Sequence, residues 1–268
     1  MAFIQLKGIT KKFGGLTAVD NVDFEIEQGK ITAIIGPNGA GKSTFFNLIN
    51  GFHKPTSGTI LFEGKDITNT PVHIGARLGI ARTFQTTHLF EQATVIDNVI
   101  VGHRLRTKSK LYDAIFRTRR EKQEEQIAYQ KALEVLDFVG LTHMAKAPVS
   151  TIPQEAKKRV AIALALATDP KVMFLDEPAA GINPDETEGL SQLMKKLAAS
   201  GITICTIEHK MQMIMGLADK IMVLNHGAKI AEGTPTEIKN NPIVIEAYLG
   251  GGDPVAEVNR HHSEVRGV

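Results

Sequence analysis

The chain alternates between short apolar runs and longer stretches with helical spacing. Runs bounded by glycine or polar turns predict β-strands at residues 3–9, 22–26, 31–35, 59–62, 172–175, 202–207 and 220–224. Apolar residues that recur every three or four positions predict helices around 128–139, 160–167 and 185–199, and Gly140 is placed to end the first of them. Strands that alternate with helices are typical of an α/β protein with a mainly parallel sheet.

A glycine-rich segment joins the predicted strand at 31–35 to a helical stretch. It fits the pattern G-x-x-x-x-G-K-[ST], and its residues are Gly36, Pro37, Asn38, Gly39, Ala40, Gly41, Lys42, Ser43 and Thr44. Glycines let successive backbone N–H groups converge on a phosphate, and the helix start adds its positive dipole end. Lys42 is predicted to bridge the β- and γ-phosphates, and the Ser43 hydroxyl to ligate Mg²⁺. This segment, the phosphate loop, predicts a nucleotide site but not the use of the nucleotide.

Acidic residues and a histidine follow two later strands. Asp176 and Glu177 come directly after the apolar run at 172–175. A carboxylate at Asp176 can hold Mg²⁺ through water, and Glu177 is placed to act as the general base that phosphoryl transfer to water needs. His209 follows the next strand, so its ring is expected at the same sheet edge, within reach of the γ-phosphate. Taken alone, a histidine at a strand end is more often structural.

Composition adds few constraints. The 268 residues are 43% apolar and 22% charged, which is ordinary for a soluble protein, and a net charge of +2 does not favour nucleic acid as a partner. The single cysteine, Cys205, excludes an intrachain disulfide and suits a reducing cytosol. We find no apolar run long enough for a membrane span and no secretory signal. We therefore expect a soluble, intracellular chain that reaches a membrane only through a partner.

Two features keep alternatives open. Phe13 precedes Gly14–Gly15 and is either an ordinary loop side chain or a flat surface on which adenine could stack. Residues 104–122 carry eight Lys or Arg against two acidic residues. Such a cluster can bind nucleic acid or acidic headgroups, but a solvated insert is the interpretation we prefer.

Taken together, the phosphate loop, Gln85, Asp176, Glu177 and His209 resemble, in order and spacing, the nucleotide-binding domain of an ATP-binding cassette (ABC) protein. The resemblance covers roughly residues 3–250. It implies a P-loop NTPase fold of the α/β class, with a mainly parallel core sheet, an N-terminal antiparallel β subdomain and a helical subdomain at about 86–165. Residues 251–268 are expected to form a disordered tail.

The resemblance also implies a role for each matching residue. Phe13 would stack on adenine, and Gln85 would touch Mg²⁺ and the attacking water while sensing a membrane subunit. Asp176 would hold Mg²⁺, Glu177 would act as the base, and His209 would be the switch histidine. In that family two domains sandwich two ATP molecules, and closure of the pair drives a transmembrane pair between two states.

Further segments narrow the resemblance. Residues 82–85, 177–184, 207–209 and 231–235 are similar to the ATP-binding subunits of branched-chain amino acid importers. Such systems pair two related ATPases with two permeases and a periplasmic or extracellular solute-binding protein. This would place the chain at the cytoplasmic face of the inner (plasma) membrane, with no nucleic acid as partner. The solute remains an analogy.

One segment departs from the family pattern. The signature LSGGQ falls here on Ile152, Pro153, Gln154, Glu155 and Ala156, which we call the signature segment. Pro153 has neither a hydroxyl nor an N–H, and Glu155 would bring negative charge towards phosphate unless its side chain turns away. Because the signature acts on ATP held by the partner, we expect this chain to pair with a paralogous ATPase, or else with a second copy. One of the two sites should then be weaker.

Other functions are compatible with the same motifs. Urea or amide importers and lipopolysaccharide exporters use similar ATPases. A soluble ABC ATPase acting on DNA or ribosomes would be favoured only by the basic insert, and it would usually carry two cassettes or a long coiled-coil insertion. A small-molecule kinase would share the phosphate loop but would leave Gln85 and His209 unexplained.

Overall fold

The computed structural model describes residues 2–83, 89–104, 113, 116 and 118–249. The strands in these residues are β1 (Ile4–Phe13), β2 (Leu16–Ile26), β3 (Ile31–Ile35), β4 (Ser57–Phe62), β5 (Lys65–Asp66), β6 (Ile80–Thr83), β7 (Val172–Asp176), β8 (Thr203–Ile207), β9 (Lys220–Asn225) and β10 (Ala228–Gly233). The α-helices are α1 (Lys42–Ile49), α2 (Val72–Leu78), α3 (Val95–His103), α4 (Arg119–Phe138), α5 (Gln154–Leu166), α6 (Pro184–Ala199), α7 (Met211–Leu217), α8 (Pro235–Lys239) and α9 (Pro242–Leu249).

The larger sheet has six strands in the order β10-β9-β3-β8-β7-β6. All neighbours in it are parallel except β10, which returns antiparallel beside β9. Strands β3, β7 and β8 are buried along their whole length, which explains why their sequences are mostly apolar and do not alternate with exposed polar residues. Because these strands are parallel, their carboxyl ends meet at one edge of the sheet. We call it the carboxyl edge, and it lies where ligands bind in open α/β sheets.

The smaller sheet is antiparallel, with the strand order β2-β1-β4-β5. The sequence predicted its first two strands too short, at 3–9 and 22–26. In the structure β1 continues to Phe13 and pairs with β2 from Leu16 onwards, across a tight turn at Gly14–Gly15. The ladder shifts register twice between Ile9 and Lys12, and most side chains there are polar or exposed. Those irregularities break the alternation on which the sequence prediction depended.

Aromatic side chains join the smaller sheet, α1 and the larger sheet. The rings of Phe24 and Phe45 meet edge to face with centroids 6.3 Å apart, and those of Phe46 and Phe174 do so at 5.2 Å. Helix α1 is therefore held on both sides by buried apolar contacts. This packing fixes the helix that begins inside the phosphate loop.

Helices α3, α4 and α5 contribute buried residues to a separate apolar cluster that extends to β7 and α6. The predicted boundary of the helical subdomain at 86 and much of the basic insert lie outside the described residues, as does the predicted tail at 251–268. The division into subdomains stays a prediction. None of the helices in the described part of the chain is long and apolar enough to cross a bilayer.

Candidate functional site

The phosphate loop runs from the end of β3 into α1 at the carboxyl edge. Its glycines are required by close approaches: a Cβ on Gly36 would lie 2.1 Å from the Leu224 carbonyl oxygen, and one on Gly41 would lie 2.4 Å from that of Ala18. Gly41 also has φ of 96°, which side-chain-bearing residues rarely adopt. No side chain caps the start of α1 at Gly41, so its first backbone N–H groups are available to an anion.

Lys42 lies on the inner side of this loop and is only 6% exposed. Its ammonium donates to the carbonyl oxygens of Gly36 at 2.7 Å and Pro37 at 2.9 Å. Burial lowers the pKa of Lys42, while the charge of Glu177 works in the opposite direction. The lysine is thus held against the loop, within the electrostatic influence of the predicted base. Asn38, Gly39 and Ser43 are exposed, Thr44 is half-buried and Ala40 is buried.

Asp176 and Glu177 follow each other but differ in environment. Asp176 is the last residue of β7, is 8% exposed, and accepts a hydrogen bond from Arg82 at 2.8 Å. Glu177 has φ of 48°, in the left-handed region, and its backbone N–H donates to the carbonyl of Ile207 at 2.9 Å. A non-glycine residue in this conformation is uncommon and occurs often at functional sites. The turn takes the chain out of the strand directly after Asp176.

Glu177 and His209 are in direct contact. His209 Nε2 lies 2.8 Å from Glu177 Oε1, and His209 directly follows Glu208 at the carboxyl end of β8. With a proton on Nε2, the imidazole donates to the carboxylate and holds its orientation. The sequence predicted the two residues at one sheet edge, and the structure brings them together as a hydrogen-bonded pair.

Sequence reasoning missed two residues next to this pair. Glu208 is 3% exposed, and its carboxylate accepts backbone N–H groups from Ala179 at 2.6 Å and His209 at 3.2 Å. Burial raises the pKa of Glu208, and these backbone hydrogen bonds oppose the rise. The Lys210 ammonium donates to the Ile182 carbonyl at 2.8 Å and to the Thr187 hydroxyl at 2.9 Å. The available signal was three charged or titratable residues in a row after a wholly buried strand.

Together, Glu208 and Lys210 hold the segment 178–183 that follows Glu177. One contact fixes its backbone near the start and another fixes it near the end. The loop that carries the predicted base is therefore attached at several points to the loop that carries His209.

The remaining predicted residues are placed differently. Phe13, at the end of β1, is 43% exposed; its ring meets His53 edge to face at 5.5 Å, and the Lys11 ammonium lies 4.9 Å from its centroid. Gln85 lies outside the described residues. In the signature segment, Ile152 and Ala156 are buried and Pro153 directly precedes α5. Glu155 forms an ion pair with Arg159 one helical turn later, so its charge is partly neutralised within this chain.

The donors at the carboxyl edge fit Mg²⁺. Within the described ranges, no three or more His, Cys, Asp or Glu residues are grouped to hold a metal ion. The loop hydroxyl of Ser43 and the carboxylate of Asp176 are the oxygen ligands that Mg²⁺ prefers when it is bound mainly through nucleotide phosphates and water. The residues present therefore suit a metal that arrives with the nucleotide.

Comparisons with protein families agree with these motifs. The family model described as ABC transporter matches residues 19–180. A second model, described as branched-chain amino acid ATP-binding cassette transporter, matches residues 228–254. The two matches cover the phosphate loop, the Asp176–Glu177 turn and the last part of the fold.

Individual proteins are similar over nearly the whole chain. The high-affinity branched-chain amino acid transport ATP-binding protein BraF of Pseudomonas aeruginosa is 40% identical over 92% of this chain and 97% of its own length. The structure of the ADP conformation of MJ1267, an ATP-binding cassette of an ABC transporter, is 34% identical with a TM-score of 0.83, covering 93% and 99% of the two chains. The dimeric structure of the cassette MJ0796, in a post-hydrolysis state with ADP and Pi, is 26% identical with a TM-score of 0.72, covering 87% and 98%.

Proposed function

The chain belongs to the ABC transporter family and is an ATP-binding ATPase, and from this premise we propose that it powers an importer of branched-chain or related amino acids. Two observations support the choice of solute. The relative BraF carries that function in its name, and the C-terminal match at 228–254 is to a family described by the same solute. The site chemistry supports the reaction.

The phosphate-binding half of the mechanism rests on the loop and α1. Backbone N–H groups of the phosphate loop and the Lys42 ammonium bind the β- and γ-phosphates. Ser43 and Asp176, together with Gln85, would hold Mg²⁺, which neutralises charge on the phosphates. Phe13 is exposed enough to offer its ring to the adenine. These residues bind and orient ATP.

The hydrolytic half rests on one observation, the 2.8 Å contact between His209 Nε2 and Glu177 Oε1. Glu177 orients the attacking water and accepts its proton, which is the role of a positioned general base. His209 holds that carboxylate in place and would contact the γ-phosphate as the switch histidine. The pair works only if the carboxyl ends of β7 and β8 stay in register. The adjoining contacts of Glu208 and Lys210 maintain this register.

The complete assembly contains a second ATPase subunit, either a paralogue or a second copy. A related cassette forms a dimer in a solved structure, and the signature segment of this chain would act on the ATP of its partner. Because Pro153 and Glu155 replace the usual serine and glycine, we assign the partner as a paralogue and the site completed by this chain as the weaker one. Two permeases, a solute-binding protein outside the membrane, and attachment at the cytoplasmic face of the inner (plasma) membrane complete the proposal.

Glu177→Gln tests the assignment. The variant should bind ATP with unchanged affinity, because the amide keeps the size of the side chain. It should lose turnover by about 10²–10⁴-fold, the usual contribution of a general base. ATP binding is measured by fluorescence with an ATP analogue, and turnover by phosphate release from the purified assembly.

A matched control and a transport assay complete this test. Glu134→Gln makes the same change at an exposed position on α4 and should leave both quantities unchanged. Cells that carry only the Glu177→Gln form should fail to take up radiolabelled leucine. Normal turnover in this variant would remove the assigned base. Loss of urea uptake or of lipopolysaccharide export instead of leucine uptake would replace the proposed solute.

A further inference from the structure

Arg82 links two elements of the site in a way that the motifs do not explain. It lies near the end of β6, the strand next to β7. One terminal nitrogen, Nη2, donates to Asp176 Oδ2 at 2.8 Å, and the other, Nη1, donates to Asn47 Oδ1 at 2.5 Å. The guanidinium carbon also lies 5.5 Å from the centroid of the Phe46 ring. The planar fork of arginine makes both hydrogen bonds at once.

The two hydrogen bonds of Arg82, which we call the Arg82 bridge, lie in a largely buried place, so neither charged partner can easily be replaced by water. The exposed fractions of the Arg82 and Asp176 side chains are 13% and 9%. A carboxylate so little exposed needs a counter-charge and hydrogen-bond donors, and removing one partner of such a pair is costly. Oδ2 accepts the hydrogen bond from Arg82, so Oδ1 keeps more of its acceptor capacity for a metal ion. The contact also restricts the rotation of the carboxylate.

The hydrogen bonds of Arg82 reach two elements that carry proposed Mg²⁺ ligands, α1 and the end of β7. Asn47 lies four positions after Ser43 on α1, so the two residues share one face of that helix one turn apart. Asp176 is bonded directly. Gln85 follows Arg82 by three residues in the sequence. Arg82 thus joins the end of β7 to α1, and it lies close in sequence to the third proposed ligand.

We propose that Arg82 is a positioning residue that orients Asp176 for Mg²⁺ and ties it to the helix of the phosphate loop through Asn47. This inference rests on the proposed function, in which Asp176 holds Mg²⁺. In this proposal Arg82 acts through Asp176 and Asn47, and it is not itself a ligand of the metal or the nucleotide. Its effect should therefore appear in the dependence of nucleotide binding on Mg²⁺, and only secondarily in turnover.

The test measures ADP affinity by isothermal titration calorimetry, with saturating Mg²⁺ and with EDTA. Arg82→Met removes both hydrogen bonds of the fork but keeps much of the apolar stem. In EDTA its ADP affinity should stay within about twofold of the unchanged protein. The gain in affinity that Mg²⁺ provides should fall by about 10–100-fold, as for other residues that orient metal ligands. Asn47→Ala should cause a smaller loss in the same direction.

A second set of variants separates positioning from general damage to the fold. Arg82→Lys keeps the charge but cannot bond both partners with a planar fork, so it should retain part of the Mg²⁺ gain. Asp176→Asn should lose that gain, and adding Arg82→Met to it should cause no further loss, because both changes act through one carboxylate. Thermal melting monitored by circular dichroism verifies that each variant is folded. If Arg82→Met does not fold, Arg82→Lys alone decides the question.

Each alternative outcome has one meaning. If Arg82→Met, or Arg82→Lys in its place, weakens ADP binding equally with and without Mg²⁺, Arg82 has only a structural role and the inference fails. If Asp176→Asn retains the full Mg²⁺ gain, the proposed metal role of Asp176 fails first, and the inference fails with it. If Asp176→Asn loses the gain but both Arg82 variants keep it, the metal role stands and only the inference is overturned.

Discussion

Glu208 shows how one buried residue can support a reaction in which it takes no direct part. Its carboxylate is almost inaccessible and accepts the backbone N–H groups of Ala179, two residues after Glu177, and of His209. Burial raises the pKa of Glu208, and the backbone N–H groups that it accepts oppose this rise by replacing the lost water. The identity of this residue matters because both of its oxygens accept.

Glu208→Gln should damage that arrangement. An amide has one oxygen and one NH₂ group, so at least one backbone N–H would face a donor in place of an acceptor. We expect a loss of about 1–3 kcal/mol in the free energy of unfolding, the cost of one unsatisfied buried donor. Turnover should fall as well, because the segment after Glu177 loses an anchor. Urea unfolding and phosphate release measure the two effects.

Glu188→Gln is the matched control, since Glu188 is exposed on α6, where it accepts a surface hydrogen bond from Gln192. Its effect on stability should stay within about 0.5 kcal/mol. If Glu208→Gln were as stable and as active as this control, the anchoring role of Glu208 would be wrong.

Among the elements, α5 carries the largest departure from the family pattern. The helix begins at Gln154, directly after Pro153, and Glu155 in its first turn is bound to Arg159. Proline is well tolerated before a helix, so the element forms normally. The segment before and at its start lacks two hydrogen-bond donors of the family signature. It has no serine hydroxyl, and the Pro153 nitrogen carries no hydrogen. The helix therefore forms, but the segment before it offers fewer hydrogen-bond donors than the family signature would.

Restoring two residues of the signature should increase turnover. In Pro153→Ser combined with Glu155→Gly, the hydroxyl and a closer backbone regain contact with the partner's γ-phosphate. One hydrogen bond to a charged group contributes about 1.5–3 kcal/mol, which corresponds to at least about a tenfold change in rate if it is made in the transition state. The change in turnover is measured as phosphate release by the purified chain at increasing protein concentration.

The two single substitutions serve as controls and should each give part of the gain. The unaltered chain on its own should hydrolyse ATP slowly. Rapid hydrolysis by a homodimer with unaltered residues 152–156 would contradict both the weak site and the paralogous partner.

In the molecule as a whole, the C-terminal helices support the strand that leads to the phosphate loop. Ile238 of α8 and Val244 and Tyr248 of α9 share an apolar cluster with Ala33 and Ile35 of β3. Burial raises the pKa of Tyr248 to about 12, and a hydrogen bond from the Gly36 backbone opposes that rise. The end of the described chain therefore contacts the first residue of the loop that binds phosphate.

Two truncations test where the folded domain ends. Ending the chain after Gly233 removes three buried side chains, each contributing about 1.5–3 kcal/mol. The combined loss approaches the whole free energy of unfolding of many domains, about 5–15 kcal/mol, so this form should not fold. Ending it after Gly250 removes only the predicted tail and should shift Tm by no more than about 2 °C. Scanning calorimetry measures Tm for both truncated forms and for the full chain. Equal destabilisation by the two truncations would place the domain boundary beyond residue 250.

Much of the site can be predicted from residues that are neighbours in the sequence. The phosphate loop between β3 and α1, and the Asp176–Glu177 turn after β7, depend on local chemistry: glycines where the backbone must approach closely, and carboxylates where an apolar strand ends. Parallel strands bring their carboxyl ends to one edge, so His209 could be placed near Glu177 without coordinates. The β1–β2 hairpin was predicted less well because its register shifts interrupt the alternation.

Contacts between residues distant in the sequence were decided only by the tertiary structure. Arg82 and Asp176 are 94 positions apart, Glu177 and His209 are 32 apart, and Ala179 and Glu208 are 29 apart. Each contact exists because β6, β7 and β8 lie side by side in that order. Local patterns specify which strands form and which residues end them, but not which strand lies beside which. Short local motifs therefore determine which side chains carry the chemistry of the site. The order of the strands determines which distant residues contact those side chains and orient them.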